Sequence, residues 1–191
     1  MNLSQTTSKP YLRTQKEYYI IGTILTGHYF HDIITDGLSC EIQVIYNEKW
    51  KQINNQPPIQ TQTAYRNIYT NKFAWNQNFE FFFAVNDNSY DTPICILRIW
   101  KLDINNKLNV IGYSKFRFPN AAASLLKEIP IWKPLSGYES LQDEYFMNRM
   151  PQLSNLNFVL NNSDDLQLMN SAPVGMIKFE FCLIKRFYNE E

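Results

Sequence analysis

The sequence predicts an all-β protein, an antiparallel β-sandwich of about eight strands with one helix inserted before the last strand. Three observations predict this class. Aromatic residues make up 15% of the 191 residues, against only six glycines, and this composition favours strands because flat side chains fill a pleated surface well. Several segments alternate apolar and polar residues, as half-buried strands do. One segment repeats apolar residues at helical spacing.

Four strands are predicted in the first half of the chain, over residues 18–26, 38–46, 50–53 and 78–85. Gly22 lies inside the first, dense apolar run and indicates a close backbone approach or a bulge. The second strand alternates cleanly, with Cys40 on its apolar face. Residues 27–37 and 54–63 are predicted loops because they are rich in polar, Gly or Pro residues.

Three further strands are predicted in the second half, over residues 94–102, 110–118 and 176–186. The sequence DINNK (103–107) has hairpin-turn chemistry between the first two of them. Residues 121–126 are predicted as a helical turn or a loop. An eighth strand is expected at the run PIWKP (Pro130–Pro134), which we interpret as a rigid turn, and residues 166–169 are a candidate short edge strand.

The predicted helix covers Tyr138–Met150. Ser136 can cap its first turn and Pro151 ends it, because proline cannot continue a helix. Tyr138, Leu141 and Tyr145 form an apolar stripe at spacings of three and four. Packing of this stripe on the protein's own sheet is favoured, and docking on another protein is the alternative.

One domain is predicted over residues 17–188, between a flexible N-terminal arm (1–16) and a short tail (189–191). The arm lacks an apolar signal core, and no run approaches the roughly 20 apolar residues of a membrane-spanning helix. The three cysteines are an odd number and widely spaced, so we expect no disulfide framework and a reducing, intracellular compartment.

The charge balance argues against nucleic-acid binding. Eighteen basic and eighteen acidic residues cancel, whereas nonspecific nucleic-acid binding needs a net positive field. The four tryptophans could form a stacking platform for single-stranded nucleic acid. Such platforms interleave aromatic with basic residues, which is not the pattern here, so core packing is the favoured interpretation.

No motif predicts an enzyme or a cofactor. His28 and His31 form an H-x-x-H pair, but solvated loop histidines explain it better than a metal or acid–base site, since no third ligand at helix spacing accompanies them. Cys40 paired with His28 is a poor nucleophile because a buried thiol stays neutral. The chain has neither a Gly-x-Ser-x-Gly elbow nor a phosphate-binding glycine loop.

Two segments resemble parts of C2 domains: WKLDINNKLNVIG (100–112) resembles their third calcium loop, and GLSCEIQV (37–44) the strand after their first. Calcium-binding members carry Asp where this chain has Lys101, Asn109 and Cys40, and only Asp103 is retained. A calcium site needs six to eight converging oxygens. The resemblance therefore implies a C2-like sandwich that has lost its calcium and has weak or no direct membrane contact.

The ordered set of motifs resembles the B9 domain family of ciliary proteins over about residues 18–188. The motifs are IIGTI (20–24), GLSCEIQV (37–44), FAWN (73–76), LRIWKLD (97–103), VIGYSKFRFP (110–119), IPIWKPLSG (129–137), a helix ending in PQL (151–153), and GMIKFEFCLIKRF (175–187). The chain departs from the family where YDTP (90–93) replaces a common Gly-Trp-Pro, and where NAAASLLKE (120–128) contains no glycine.

The resemblance implies a non-enzymatic scaffold subunit that assembles with other B9 domain proteins and ciliary complex subunits. Such a complex acts in cilium assembly and in gating at the transition zone, near the basal body. One alternative is an axonemal accessory protein that binds microtubule-associated partners. A second is a calcium-independent lipid-binding C2 module, for which Lys101, Lys115 and Arg117 are the candidate lipid-facing residues.

Overall fold

The computed structural model describes residues 15–30, 33, 35–85, 91–135 and 170–188, and all regular structure in these ranges is β-strand. Nine strands are present: β1 Gln15–His28, β2 Gly37–Ile45, β3 Trp50–Gln52, β4 Ile59–Gln60, β5 Lys72–Val85, β6 Ile94–Leu102, β7 Leu108–Arg117, β8 Ala123–Pro134 and β9 Ser171–Tyr188. The all-β antiparallel class predicted from the sequence is confirmed. The predicted helix over 138–150 and the candidate strand over 166–169 lie outside the described residues.

The strands form one antiparallel sheet in the order β3-β5-β1-β9-β8-β7-β6-β2-β4. Between β7 and β8 the ladder contains a single residue pair, Tyr113 with Trp132. The sheet therefore curls at this corner into two layers that face each other. We call β3-β5-β1-β9-β8 the first layer and β7-β6-β2-β4 the second layer.

The core lies between the two layers and is rich in aromatic side chains. The ring of Phe116 on β7 lies 5.9 Å from that of Phe179 and 6.0 Å from that of Phe181, both on β9. At the opposite side of the core, Trp75 Nε1 donates a 2.9 Å hydrogen bond to the Leu38 carbonyl. Burying each large apolar side chain contributes about 1.5–3 kcal/mol, so these contacts hold the layers together.

Gly22 shows why β1 packs so closely on its neighbours. A Cβ atom at this position would lie 2.6 Å from Phe181 Cβ and 2.7 Å from Phe79 Cζ. No real side chain accepts contacts of that length. The close backbone approach predicted at Gly22 is confirmed.

The predictions for residues 121–134 are wrong in two respects. Residues 123–126 belong to β8 rather than to a helical turn or loop, and Pro130–Pro134 ends that strand rather than forming a turn. β8 pairs along its length with β9, but with β7 only at Trp132. Its other side is therefore almost an edge, where proline's missing N–H costs no ladder bond.

Other strands differ from the prediction mainly in the residue at which they begin. β5 begins at Lys72, before the predicted residue 78, and β9 begins at Ser171 rather than at residue 176. A two-residue strand, β4, lies in the predicted loop 54–63. β1 begins at Gln15, inside the segment predicted as the N-terminal arm.

Candidate functional site

The loop end of the sandwich is where a calcium-binding C2 domain would hold its ions. Pairing of Gly37 with Leu102 brings the start of β2 beside the end of β6. There Lys101 is only 6% exposed, and its Nζ lies 3.7 Å from Asp36 Oδ2. The lysine ammonium therefore neutralises this carboxylate and repels a divalent cation.

Asp103, the retained calcium-type residue, is engaged in a turn. Its Oδ1 accepts hydrogen bonds from the backbone N–H groups of Asn105, at 2.9 Å, and Lys107, at 2.8 Å. This is the Asx-turn chemistry that closes short hairpins. Asp103 stabilises the β6–β7 turn, and its Oδ1 already accepts from two backbone amides.

The remaining replaced positions offer no carboxylate to a cation. Asn109 is buried, and its Nδ2, a donor, has no hydrogen-bond partner among the described residues. Cys40 is fully buried in β2. In the part of the chain that the structure describes, no three His, Cys, Asp or Glu residues are grouped to hold a metal ion. The described residues at this end do not fit a calcium ion.

Of the two histidines in the H-x-x-H pair, His28 belongs to the described residues and His31 lies outside them. His28 is 7% exposed at the end of β1, and its Nε2 lies 4.0 Å from Glu128 Oε1 on β8. Burial lowers the pKa of His28 below its ordinary value; Glu128 opposes this shift, and Lys72 and Lys178 add to it. The sequence suggested a solvated loop histidine, whereas the structure places His28 in the strand and buries it.

The buried cysteines have no reactive character. Burial raises the pKa values of the Cys40 and Cys95 thiols well above the ordinary range. Both side chains belong to the core between the layers. Cys182, in contrast, is partly exposed on β9.

The tryptophans pack and donate hydrogen bonds within the protein. Trp50 and Trp75 belong to the main core, as the core-packing interpretation predicted. Trp100 and Trp132 pack against a smaller cluster on the other side of the second layer. Trp100 Nε1 also donates a 2.8 Å hydrogen bond to Glu41 Oε2.

The predicted lipid-facing residues do not share one surface. Lys101 lies at the loop end beside Asp36, whereas Arg117 lies at the other end of β7 and pairs with Asp91. Lys115 is half-buried, and burial lowers its pKa. The predicted interface residues Tyr138, Leu141 and Tyr145 lie outside the described residues. The sheet's terminal strands, β3 and β4, have only three and two residues, and β3 pairs with β5 only at residues 83–85, so in the described sheet the longer free edge belongs to β5.

An exposed apolar surface, not predicted from the sequence, lies on the solvent side of the first layer. We call it the outer apolar face, and it consists of Tyr19, Ile21, Phe82, Leu126, Cys182 and Ile184. Ile21 is 45% exposed, Ile184 49% and Leu126 60%. Antiparallel sheets usually turn polar residues to solvent. The apolar residues on both faces of β1 were the signal that could have revealed this surface.

A groove follows the outer apolar face along β1 and β5. It has a volume of about 400 Å³, and Ile21, Thr23, Asn78 and Glu80 line it. The register places Glu80 beside Ile21 and Glu180 beside Leu126. The apolar residues therefore have acidic neighbours, an arrangement that resembles the apolar centre and polar rim of protein interfaces.

The family comparison agrees with this architecture. The B9-C2 family, described as "Ciliary basal body-associated, B9 protein", matches residues 18–184. The chain belongs to the B9-C2 family. The match begins in β1 and ends in β9, so it spans both layers of the sandwich. The resemblance to B9 proteins noted in the sequence is confirmed at the level of the family.

The other similarities of this B9-C2 protein are weaker. No curated protein sequence matches it significantly. Among solved structures, a C2 domain of plant Extended Synaptotagmin 1 is similar at 8% sequence identity and a TM-score of 0.42, covering 94% of this chain and 99% of that domain. Within the described ranges, no helix has the length and apolar character needed to cross a membrane.

Proposed function

We propose that this protein is a non-enzymatic structural subunit of a ciliary B9 protein complex that acts in cilium assembly and gating at the transition zone. Its family is described as ciliary and basal body-associated, which supports the ciliary part of the proposal. The buried thiols of Cys40 and Cys95, with their raised pKa values, support a non-catalytic role.

The observation that carries the scaffold role is the outer apolar face. Ile21, Leu126 and Ile184 keep about half of their surface in water, and contiguous apolar surface of this kind marks interaction sites. We propose that another B9 domain protein covers it. A residue about half exposed still gains about 1 kcal/mol on full burial, so these residues together contribute a few kcal/mol to docking.

Affinity purification from isolated cilia tests the scaffold role. The wild-type tagged protein is expected to co-purify other B9 domain proteins, and the variant Ile21→Lys/Ile184→Lys is expected to lose them. The matched control is Tyr65→Lys/Leu108→Lys, because these side chains are 63% and 49% exposed and belong to neither the outer apolar face nor the first layer. Equal recovery with both variants would reject the outer apolar face as the contact surface.

Immunogold labelling tests the proposed address. Signal confined to the base of the cilium supports the transition zone. Signal along the shaft would instead favour the axonemal accessory role with microtubule-associated partners.

A further inference from the structure

A second pocket lies at the loop end of the first layer and is lined by charged residues. Its volume is about 220 Å³, and its lining comes from four elements: the end of β1, the loop before β5, β8 and β9. It is smaller than the roughly 300–1,000 Å³ pockets that enclose whole ligands. Its size suits a single polar group rather than an entire small molecule.

The pocket concentrates positive charge around His28. Sheet register places Lys72 directly opposite His28 on β5, and Lys178 diagonally across from it on β9. Directly opposite side chains in an antiparallel pair lie on the same face. Glu128, opposite Lys178, is the one carboxylate in the lining. Two ammonium groups against one carboxylate leave a net positive charge, even with His28 neutral.

Two buried polar atoms on the same side of β1 have no partner. His28 Nδ1 and Thr26 Oγ1 are both inaccessible to water and make no hydrogen bond in the described part of the chain. Thr26 faces Lys178 in the sheet register. Native proteins seldom leave buried polar atoms unpaired, so these two atoms mark a polar site beside the pocket.

The turn beside the pocket holds apolar side chains in water. Asn67 Oδ1 accepts hydrogen bonds from the N–H groups of Tyr69, at 2.9 Å, and Thr70, at 3.0 Å. Asn71 N–H bonds to the Asn67 carbonyl at 2.8 Å, so the turn is pre-formed. Ile68 at its tip is 84% exposed, and Tyr69 is 90% exposed.

A second apolar tip lies at the same end of the sandwich. Ile104, in the β6–β7 turn, is 81% exposed. β1 and β6 end at this side of the molecule, while β5 begins here. Exposed Tyr and Ile beside a cationic pocket match the chemistry of a membrane interface, where apolar tips enter the headgroup layer and cations meet phosphate.

We propose that the pocket of His28, Lys72 and Lys178 binds a phosphomonoester group on a membrane lipid, with Ile68, Tyr69 and Ile104 entering the interface beside it. The binding needs no calcium, because lysines supply the charge. The pocket lies on the same side of the first layer as the outer apolar face but at its loop end, with Glu128 two residues along β8 from Leu126. This inference goes beyond the proposed scaffold function and does not depend on it.

Vesicle binding with the full chain tests the proposal. The probes are phosphatidylcholine vesicles containing phosphatidylinositol monophosphate, and phosphatidylcholine vesicles containing phosphatidylserine at equal charge, both with EDTA. The charge of one lysine near an anionic membrane surface changes the affinity for the membrane by about five-fold. Lys72→Gln and Lys178→Gln are each expected to weaken phosphoinositide binding by about five-fold. Lys51→Gln, an exposed lysine on β3, is the matched control and should leave affinity unchanged.

Soluble probes separate the lipid from other phosphate sources. The soluble inositol phosphate headgroup should bind weakly and lose affinity in Lys72→Gln. Tyr69→Ser should weaken vesicle binding while leaving headgroup binding intact. Thermal melting confirms that each variant is folded, and the two separate lysine variants keep the test open if one of them unfolds.

Several results would overturn the proposal. One is equal affinity for the phosphoinositide and the phosphatidylserine vesicles. A second is binding of the soluble headgroup, or of a phosphoserine peptide, by a protein that does not bind vesicles. A third is no binding of any probe. An effect of Lys51→Gln as large as that of Lys72→Gln would also overturn it, because only net charge would then matter.

Discussion

Replacing Gly22 by alanine should destabilise the protein, because β1 has no room for a side chain at this position. The new Cβ would lie 2.5 Å from the Glu180 carbonyl oxygen, 2.6 Å from Phe181 Cβ and 2.7 Å from Phe79 Cζ. Overpacking a core by one methyl group costs about 1–3 kcal/mol. Alanine also lowers the conformational entropy of the unfolded chain, which offsets about 0.4–1 kcal/mol of this cost. The net loss is about 1–2 kcal/mol.

For a chain of this length, each kcal/mol shifts Tm by about 2–4 °C. Gly22→Ala should therefore lower Tm by about 2–8 °C in thermal unfolding followed by circular dichroism. Thr23→Ala is the control: Thr23 lies on the same strand and faces outward, and its exposed hydrogen bond to Asn78 is worth about 0.5 kcal/mol or less. A Gly22→Ala Tm within about 1 °C of the wild type would refute the close packing of β1 on β9.

The other predictions concern the buried histidine, the core and calcium. Burial lowers the pKa of His28 below 6.5 in the folded protein. As pH falls, the imidazole is therefore protonated in the unfolded chain before it is protonated in the folded protein. The free energy of unfolding is fully retained above about pH 6.5 and declines below it. His28→Gln should remove that part of the pH dependence of urea unfolding; an unchanged pH profile would contradict it. Phe116→Ala should lower the free energy of unfolding by about 3–5 kcal/mol, because the Phe116 ring packs on Phe179 across the two layers. A decrease of less than about 1 kcal/mol in urea unfolding would count against two facing layers. Millimolar calcium should leave Tm unchanged, because Lys101 pairs with Asp36, and a calcium-dependent rise of several degrees would contradict the charge argument.

Periodicity predicted the strands that alternate without interruption. β6 has the same bounds as predicted, Ile94–Leu102, because nothing breaks its pattern. β5 was predicted too short at its start, where Asn76 adopts a left-handed conformation with φ 48°. The register between β1 and β5 shifts nearby, so a single alternation does not run through the whole strand.

The prolines of β8 misled the prediction for a different reason. Pro130 and Pro134 suggest a turn when only the chain is considered. Their cost depends on whether the neighbouring strand needs their missing N–H groups, and that depends on where the sheet curls. Local sequence carries no information on that point.

The sites were less predictable than the strands. Lys101 could be singled out because it replaces an acidic residue of a known pattern. Lys72 and Lys178, in contrast, lie far apart in sequence, and only the pairing of β5 and β9 with β1 brings them to His28. Exposure of the outer apolar face likewise depends on which side of the first layer packs against the second.

The central claim is that the outer apolar face contacts a partner, and Cys182 offers a direct test because it lies within that face. Cys40 and Cys95 are buried with raised thiol pKa values, so maleimide should label the folded protein at Cys182 alone. Labelling rates are measured for the free protein and for the complex purified from cilia, with mass spectrometry to locate the label. We predict that the complex protects Cys182 at least ten-fold, in the same preparation that contains other B9 domain proteins. Equal labelling rates in the free and assembled protein would contradict the account.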